Sequence, residues 1–204
     1  MKTYIFFFFM LLTALSCKES DNTANSVATD NYENHIKELR CVYSKSKYSK
    51  DSVFPFNESN KIEFIAYDST SQADFFGGRI IKMKEPHDSL SSVRIRERVK
   101  LNGGQIDTLF SILHDYKINN DNTFGEAAAC YNPRHAILFY KNNKLIEILE
   151  ICFECQQLGH IDKRSEFGVM CHDKWCYLIQ YFMKCGIKTN YSIRDRGCGK
   201  NQFS

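Results

Sequence analysis

Residues 130–155, CYNPRHAILFYKNNKLIEILEICFEC, constrain this chain more than any other stretch. Two runs of branched and aromatic residues flank Lys141-Asn142-Asn143-Lys144. Asparagine tolerates the positive φ that a two-residue hairpin turn demands, so the stretch reads as a β-hairpin. With Asn142 and Asn143 as the loop, opposite residues sum to 285. Tyr140 then faces Leu145, Phe139 faces Ile146, Ile137 faces Ile148 and His135 faces Glu150. Continued, the same register sets Cys130 against Cys155, although Pro133 interrupts the ladder before that point.

This register makes His135 and Glu150 a cross-strand polar pair and puts Cys152 on the same face, two places along. Cys130 and Cys155 fall close enough for a disulfide or for two ligands of one metal. Arg134, on the face opposite His135, suits capping of carbonyls or an anion. Cys152-Phe153-Glu154-Cys155 is a C-x2-C, a spacing used by redox pairs and by half of a zinc site. A redox pair of the thioredoxin kind sits where a strand feeds a helix, and the following QQLGHIDKRSEFG has no helical period. Zinc would take Cys130, Cys152 and Cys155 with His135 or His160, a set that matches no tight ligand pattern. Structural disulfides are the plainer expectation. His135 beside Cys152, with Glu150 as orienter, also has the makings of a Cys–His nucleophile. A histidine next to a carboxylate at a strand end is more often structural, so no catalytic residue is assigned.

The chain opens with the features of a processing signal. Lys2 precedes an apolar run, Ile5 to Leu12, too short to span about 30 Å of hydrocarbon as a helix. Thr13-Ala14-Leu15-Ser16 then leads into Cys17, which resembles the lipobox of bacterial lipoproteins, although Leu15 lies one place nearer the cysteine than usual. In that family the leader is cut before the cysteine, which carries the lipid. The resemblance implies residues 1–16 as signal peptide and Cys17 as the lipidation site. Residues 17–31, rich in Ser, Thr, Asn and Asp, cannot offset the entropy of ordering and read as a flexible tether. Setting Cys17 aside leaves eight cysteines, at 41, 130, 152, 155, 171, 176, 185 and 198. An even number in an exported chain favours disulfides, with 105 formal pairings.

Residues 32–204 are expected to form a single domain. Residues 31–39 suit a short helix, 44–60 a loop, 61–68 a strand, 69–74 a turn and 79–83 a second strand. Along 92–101, Val93, Ile95, Val99 and Leu101 point one way and Arg94, Arg96, Arg98 and Lys100 the other, with Glu97 interrupting the apolar side. A row of cations could hold an anion, but a solvated outer sheet face is the simpler reading. After Asn102-Gly103-Gly104 a helix carries Leu109, Ile112, Leu113 and Tyr116 on one face. Residues 117–123 and 156–171 read as loops. Asp173 is placed to cap a last helix with a Trp175, Leu178, Ile179 and Phe182 stripe, ended by Lys184, Gly186 and Ile187. The polar tail could be tied back by Cys198. The order β-β-β-α-β-β-α implies an α+β fold: an antiparallel sheet of about five strands with two or three helices packed on one face.

The pattern C-x2-P-R-H at 130–135, joined to Ile151-Cys152-Phe153-Glu154-Cys155, the VKLNGGQIDTLFSIL stretch and a helix ending in Gly186-Ile187, resembles a family of small bacterial exported proteins over residues 93–190. That resemblance implies no substrate or reaction. With 27 basic against 24 acidic residues, whole-chain charge gives no case for nucleic acid. The expectation is a lipid-anchored exported protein of the bacterial envelope, at the outer membrane on its periplasmic or surface face. Its partners are the membrane, through the N-terminal lipid, and an envelope protein or small ligand. No cofactor is expected. The alternatives are zinc binding through the hairpin cysteines and histidine, or a thiol oxidoreductase or Cys/His hydrolase.

Overall fold

Pairing of β-branched and aromatic segments builds the sheet that positions every residue discussed below. The computed structural model describes residues 40–68, 82–83, 90–91, 93–118, 131–189 and 191. In chain order the strands are β1 (Cys41–Tyr43), β2 (Lys61–Asp68), β3 (Lys82–Met83), β4 (Leu90–Ser91), β5 (Arg94–Lys100), β6 (Tyr116–Ile118), β7 (His135–Lys141), β8 (Lys144–Cys152) and β9 (Gln157–His160). The helices are α1 (Gly103–His114) and α2 (His172–Cys185). The main sheet runs β5-β2-β7-β8-β9, antiparallel throughout. Two small ribbons, β1-β6 and β3-β4, complete the α+β fold.

Strands β2 and β7 are buried on both faces, which explains their largely apolar sequences, interrupted in β2 only by buried Glu63. On one face both helices pack. Phe64, Ile137, Phe139, Leu149 and Ile151 meet Leu109 and Leu113 of α1 and Leu178 and Phe182 of α2. The rings of Phe64 and Phe182 stack 3.9 Å apart. The other face carries a second cluster, Ile65, Tyr67, Ala136, Leu138, Tyr140, Leu145 and Ile148.

The helix ends follow their sequences. Asn102 and Gln105 form a capping box, each side chain accepting the other's backbone N–H. Gly186 ends α2 with φ 111°, and Ile187 N–H donates to Phe182 O at 3.0 Å.

Elsewhere the structure departs from expectation. Helix α1 ends at His114 with Asp115 as its C-cap, and Tyr116 pairs with Tyr43 in the β1-β6 ribbon. Lys117 and Ile118 are therefore strand and not loop. Residues 157–160, expected as loop, form β9. A four-residue, half-exposed edge strand has too few positions to show a period. The N-cap of α2 is Cys171, whose sulfur is bonded to Cys41, while Asp173 accepts the Cys41 N–H at 3.0 Å. The polar stretch 44–60 hides four buried residues, Val53, Phe54, Pro55 and Phe56, and Phe56 sits 5.2 Å from both Phe110 and Phe139.

The cation row is split by a bulge. Ala66 pairs with Glu97 but Tyr67 pairs with Ile95, so Arg96 is the extra residue. Val93 and Ile95 consequently join the second cluster while Val99 joins the helix side. Arg96 pairs with Asp68 at 2.8 Å, and Arg98 lies 3.5 Å from Glu63. The expected helix over 31–39, the turn over 69–74 and most of the 79–83 strand lie outside the described residues, as do Cys17, Cys130 and Cys198.

Candidate functional site: the open end of the hairpin

The turn is the expected one, with Asn142 at φ 50° and Asn143 at φ 64°. Tyr140 faces Leu145 as predicted, but the next pair is Phe139 with Glu147. Ile146 is the extra residue of a bulge, and every later partner shifts by one. His135 faces Ile151, and Glu150 faces Ala136. A one-residue shift exchanges the two sides of a strand, so the predicted His135–Glu150 pair is not made. The reason is burial. The bulged register sends Leu149, Ile151 and Phe153 against the helices, where the unbulged one would send Glu150.

Each carboxylate finds its own donors. The Glu147 side chain is fully buried and accepts the N–H groups of Ile148 (2.7 Å), Ile161 (2.7 Å) and Asp162 (2.8 Å) and the Ser165 hydroxyl. It locks β9 and the chain after it onto β8. Sequence reading missed Glu147, because an acidic residue in a strand looks like a solvent-facing position. Glu150, also buried, accepts the Tyr131 hydroxyl at 3.1 Å. That hydroxyl passes directly over Gly159, which faces Glu150 across β8 and β9. Burial, followed by the charges of Glu150 and Tyr131, raises the pKa of the Tyr67 phenol well above its usual range.

His135 is 1% exposed and serves the opposite face. Its ring stacks on Tyr191 at 4.5 Å and meets Phe153 at 5.0 Å. Its Nε2 lies 3.0 Å from Thr189 O, and a carbonyl can only accept, so this nitrogen carries the proton. Glu97 holds the same segment through the N–H groups of Lys188 (2.6 Å) and Thr189 (3.0 Å). Burial raises the Glu97 pKa, but those bonds and nearby His135 outweigh it, and the net shift is downward. His135 and Glu97 thus fasten the chain after α2 to the sheet.

Cys152 and Cys155 are bonded to each other, with Cα atoms 5.3 Å apart and both residues buried. The Cys155 N–H donates to Cys152 Sγ at 3.2 Å, and Gln156, at φ 52°, completes the turn. Cys155 thus bonds Cys152 across a two-residue spacer, while Cys130, its partner in the expected register, lies outside the described residues. In this oxidised form neither sulfur is a thiolate, so neither is a zinc ligand or nucleophile. His135 and Cys152 also project to opposite faces of β7 and β8, and the Cys–His–Glu constellation is not assembled. Among the described residues no group of three or more His, Cys, Asp or Glu side chains is placed to hold a metal ion. Arg134 pairs loosely with exposed Glu154 across the turn, at 3.7 Å.

A second disulfide joins Cys41 to Cys171, 130 residues apart, and Cys176 is disulfide-bonded as well. Cys185 is a free thiol, so the even count does not translate into complete pairing. It accepts from Gln105 Nε2 at 3.6 Å, and burial raises its pKa.

A second cluster of shifted titratable groups lies away from the hairpin. Lys174, fully buried in α2, donates to Leu113 O (2.7 Å) and Val169 O (2.5 Å). Burial lowers its pKa to about 8, with Asp115 opposing. His114 stacks on Phe110 at 4.3 Å and is lowered to about 4 by burial and by Lys174. Lys174 lies four residues before Leu178, on the apolar stripe of α2, and that spacing was the available clue.

No protein-family model matches this chain, and neither a curated protein nor a solved structure is significantly similar to it.

Proposed function

We propose that this chain is a lipid-anchored protein of the bacterial envelope whose disulfide-stapled domain binds a partner or supports an envelope assembly. The observation that carries this reading is the Cys41–Cys171 disulfide, joining residues 130 apart, alongside Cys152–Cys155. Such bonds persist outside the reducing cytosol, which agrees with the leader and the lipobox-like stretch before Cys17. The residues nominated for chemistry support binding over catalysis. His135 and Glu150 are themselves buried and engaged by structural partners, and the two hairpin sulfurs are bonded to each other.

Two measurements on cells test the reading. Labelled fatty acid should enter the native protein and not Cys17→Ala. Alkylation of the untreated protein should leave Cys41, Cys171, Cys152 and Cys155 unmodified and modify Cys185. Equal fatty-acid labelling of both proteins would refute the anchor, and free Cys41 and Cys171 in the cell would refute the oxidised scaffold.

A further inference from the structure

Four large apolar side chains stand exposed among the described residues: Val42 (40%), Tyr43 (62%), Tyr48 (46%) and Val169 (49%). They share one corner. Three fall within residues 42–48, and the fourth lies two residues from Cys171, the disulfide partner of Cys41. Lys174 links Val169 O to Leu113 O, and Asp115, two residues on, takes the Ser46 N–H at 2.8 Å.

The strap carrying three of them is fixed along its length. Strand β1 pairs with β6, and the Cys41 N–H reaches Asp173. The Ser44 N–H donates to Asp115 O at 2.7 Å, and the Tyr48 N–H donates to Ser46 Oγ at 3.0 Å. The Tyr43 ring stands edge-on to Tyr116 at 5.7 Å, and Tyr116 lies 5.1 Å from Tyr177. The exposed rings therefore sit on an ordered backbone.

Between the rings the strap is cationic. Arg40, Lys45 and Lys47 are exposed, and exposed Lys117 sits opposite Val42 in the ribbon. Lys47 also lies over the Tyr48 ring. Residues 40–50 contain no carboxylate. Lys50 pairs with Asp107, Asp115 and Asp173 are engaged by backbone N–H groups, and the next acid along the chain is Asp51.

We infer that residues 40–48, with Lys117 and Val169, form a surface that seats on an anionic phospholipid bilayer. Tyrosine has an apolar body and a polar tip and concentrates at membrane–water interfaces, where lysine and arginine meet lipid phosphates. A polypeptide partner fits less well, because lysine is depleted from the centres of protein interfaces. The inference rests on the proposed anchor. Arg40 stands 23 residues after Cys17, a length of chain that reaches at most about 80 Å. The strap is thus the first described part of the domain downstream of the lipid.

The test uses the processed protein, purified from bacterial membranes and reconstituted into vesicles of phosphatidylcholine with or without phosphatidylglycerol. An amine-reactive reagent is applied, and labelling is read peptide by peptide. Each cation near an anionic surface contributes about five-fold to partitioning, so labelling of Lys45 and Lys47 should fall at least about five-fold in the anionic vesicles. Exposed Lys144, at the hairpin turn, should label equally in both, and high salt should abolish the contrast. Equal labelling of Lys45 and Lys47 in both vesicle types would overturn the inference. So would protection that spreads equally to Lys144, or that appears only when envelope proteins are added. Intact mass reports the acyl chain separately. If that chain is missing the anchor fails, and the same labelling on protein added to preformed vesicles still decides the strap.

Discussion

The amine of Lys174 donates to the main-chain oxygen of Leu113, in the last turn of α1, at 2.7 Å. One residue of α2 thereby closes the C-terminal end of α1, and its second bond, to Val169 O, brings in the chain before α2. A protonated amine complements the negative end of a helix. It is nevertheless buried, and burial lowers its pKa from the ordinary 10.5 to about 8.

This cost predicts a pH dependence. Between about pH 8 and 10.5 the unfolded chain holds a proton on Lys174 that the folded chain has released, so stability rises with pH across that window. The contribution is complete above the unfolded value and is lost as pH falls through the folded one. Relative to Lys174→Met, the wild type should gain about 3 kcal/mol between those limits, at ~1.4 kcal/mol per pKa unit. Urea titrations at both ends measure the difference. A constant gap would show that the amine titrates normally.

Glu147 offers a sharper stability test. Its carboxylate receives four donors in a buried site, and Glu147→Gln turns an amide NH2 toward some of them. Loss of about 2–4 kcal/mol is expected from unmade buried bonds, with β9 loosening first. Denaturant unfolding gives the magnitude, and hydrogen exchange at Ile161 and Asp162 gives the location. Unchanged exchange there would mean that the carboxylate is not what holds this segment.

At Gly159, a Cβ would come 2.1 Å from the Tyr131 hydroxyl. Gly159→Ala should therefore cost about 1–3 kcal/mol by displacing the phenol from Glu150. In a Tyr131→Phe background the same change should cost clearly less, because the obstructing oxygen is gone. Additive losses in the double variant would rule out this contact as the cause.

The two disulfides should differ in weight. On the chain-entropy account, a closed loop of this size at Cys41–Cys171 contributes about 5 kcal/mol and the short Cys152–Cys155 loop about 2 kcal/mol. Paired serine substitutions compared by thermal unfolding should preserve that order. The reverse order would mean that native-state contacts around the hairpin end, and not chain entropy, set the contribution.

Much of the frame was legible because it depends on local chemistry. The Asn142-Asn143 turn, the Gly186 stop and the apolar stripe of α2 each follow from backbone or side-chain preferences within a few residues. The bulge in β8 was not, since that strand is buried on both faces from Glu147 to Cys152. With Leu145, Ile146, Ile148, Leu149 and Ile151 all apolar, no alternation marks the slip. Phe54 and Phe56 were hidden for a related reason, as isolated rings in a polar stretch. The candidate site suffered most, because a single inserted residue separates His135 from Glu150 and Cys152.

That inserted residue also governs which changes in length the hairpin can absorb. Ile146 alone lacks a cross-strand partner, between the Tyr140–Leu145 and Phe139–Glu147 pairs. Removing it would close the ladder and leave Leu149, Ile151 and Phe153 facing the helices. Removing a residue at Glu150 instead would carry Ile151 and Phe153 to the other face of the sheet and Cys152 toward the helices. Within β8, the bulge is where the chain can shed a residue without exchanging its inside for its outside.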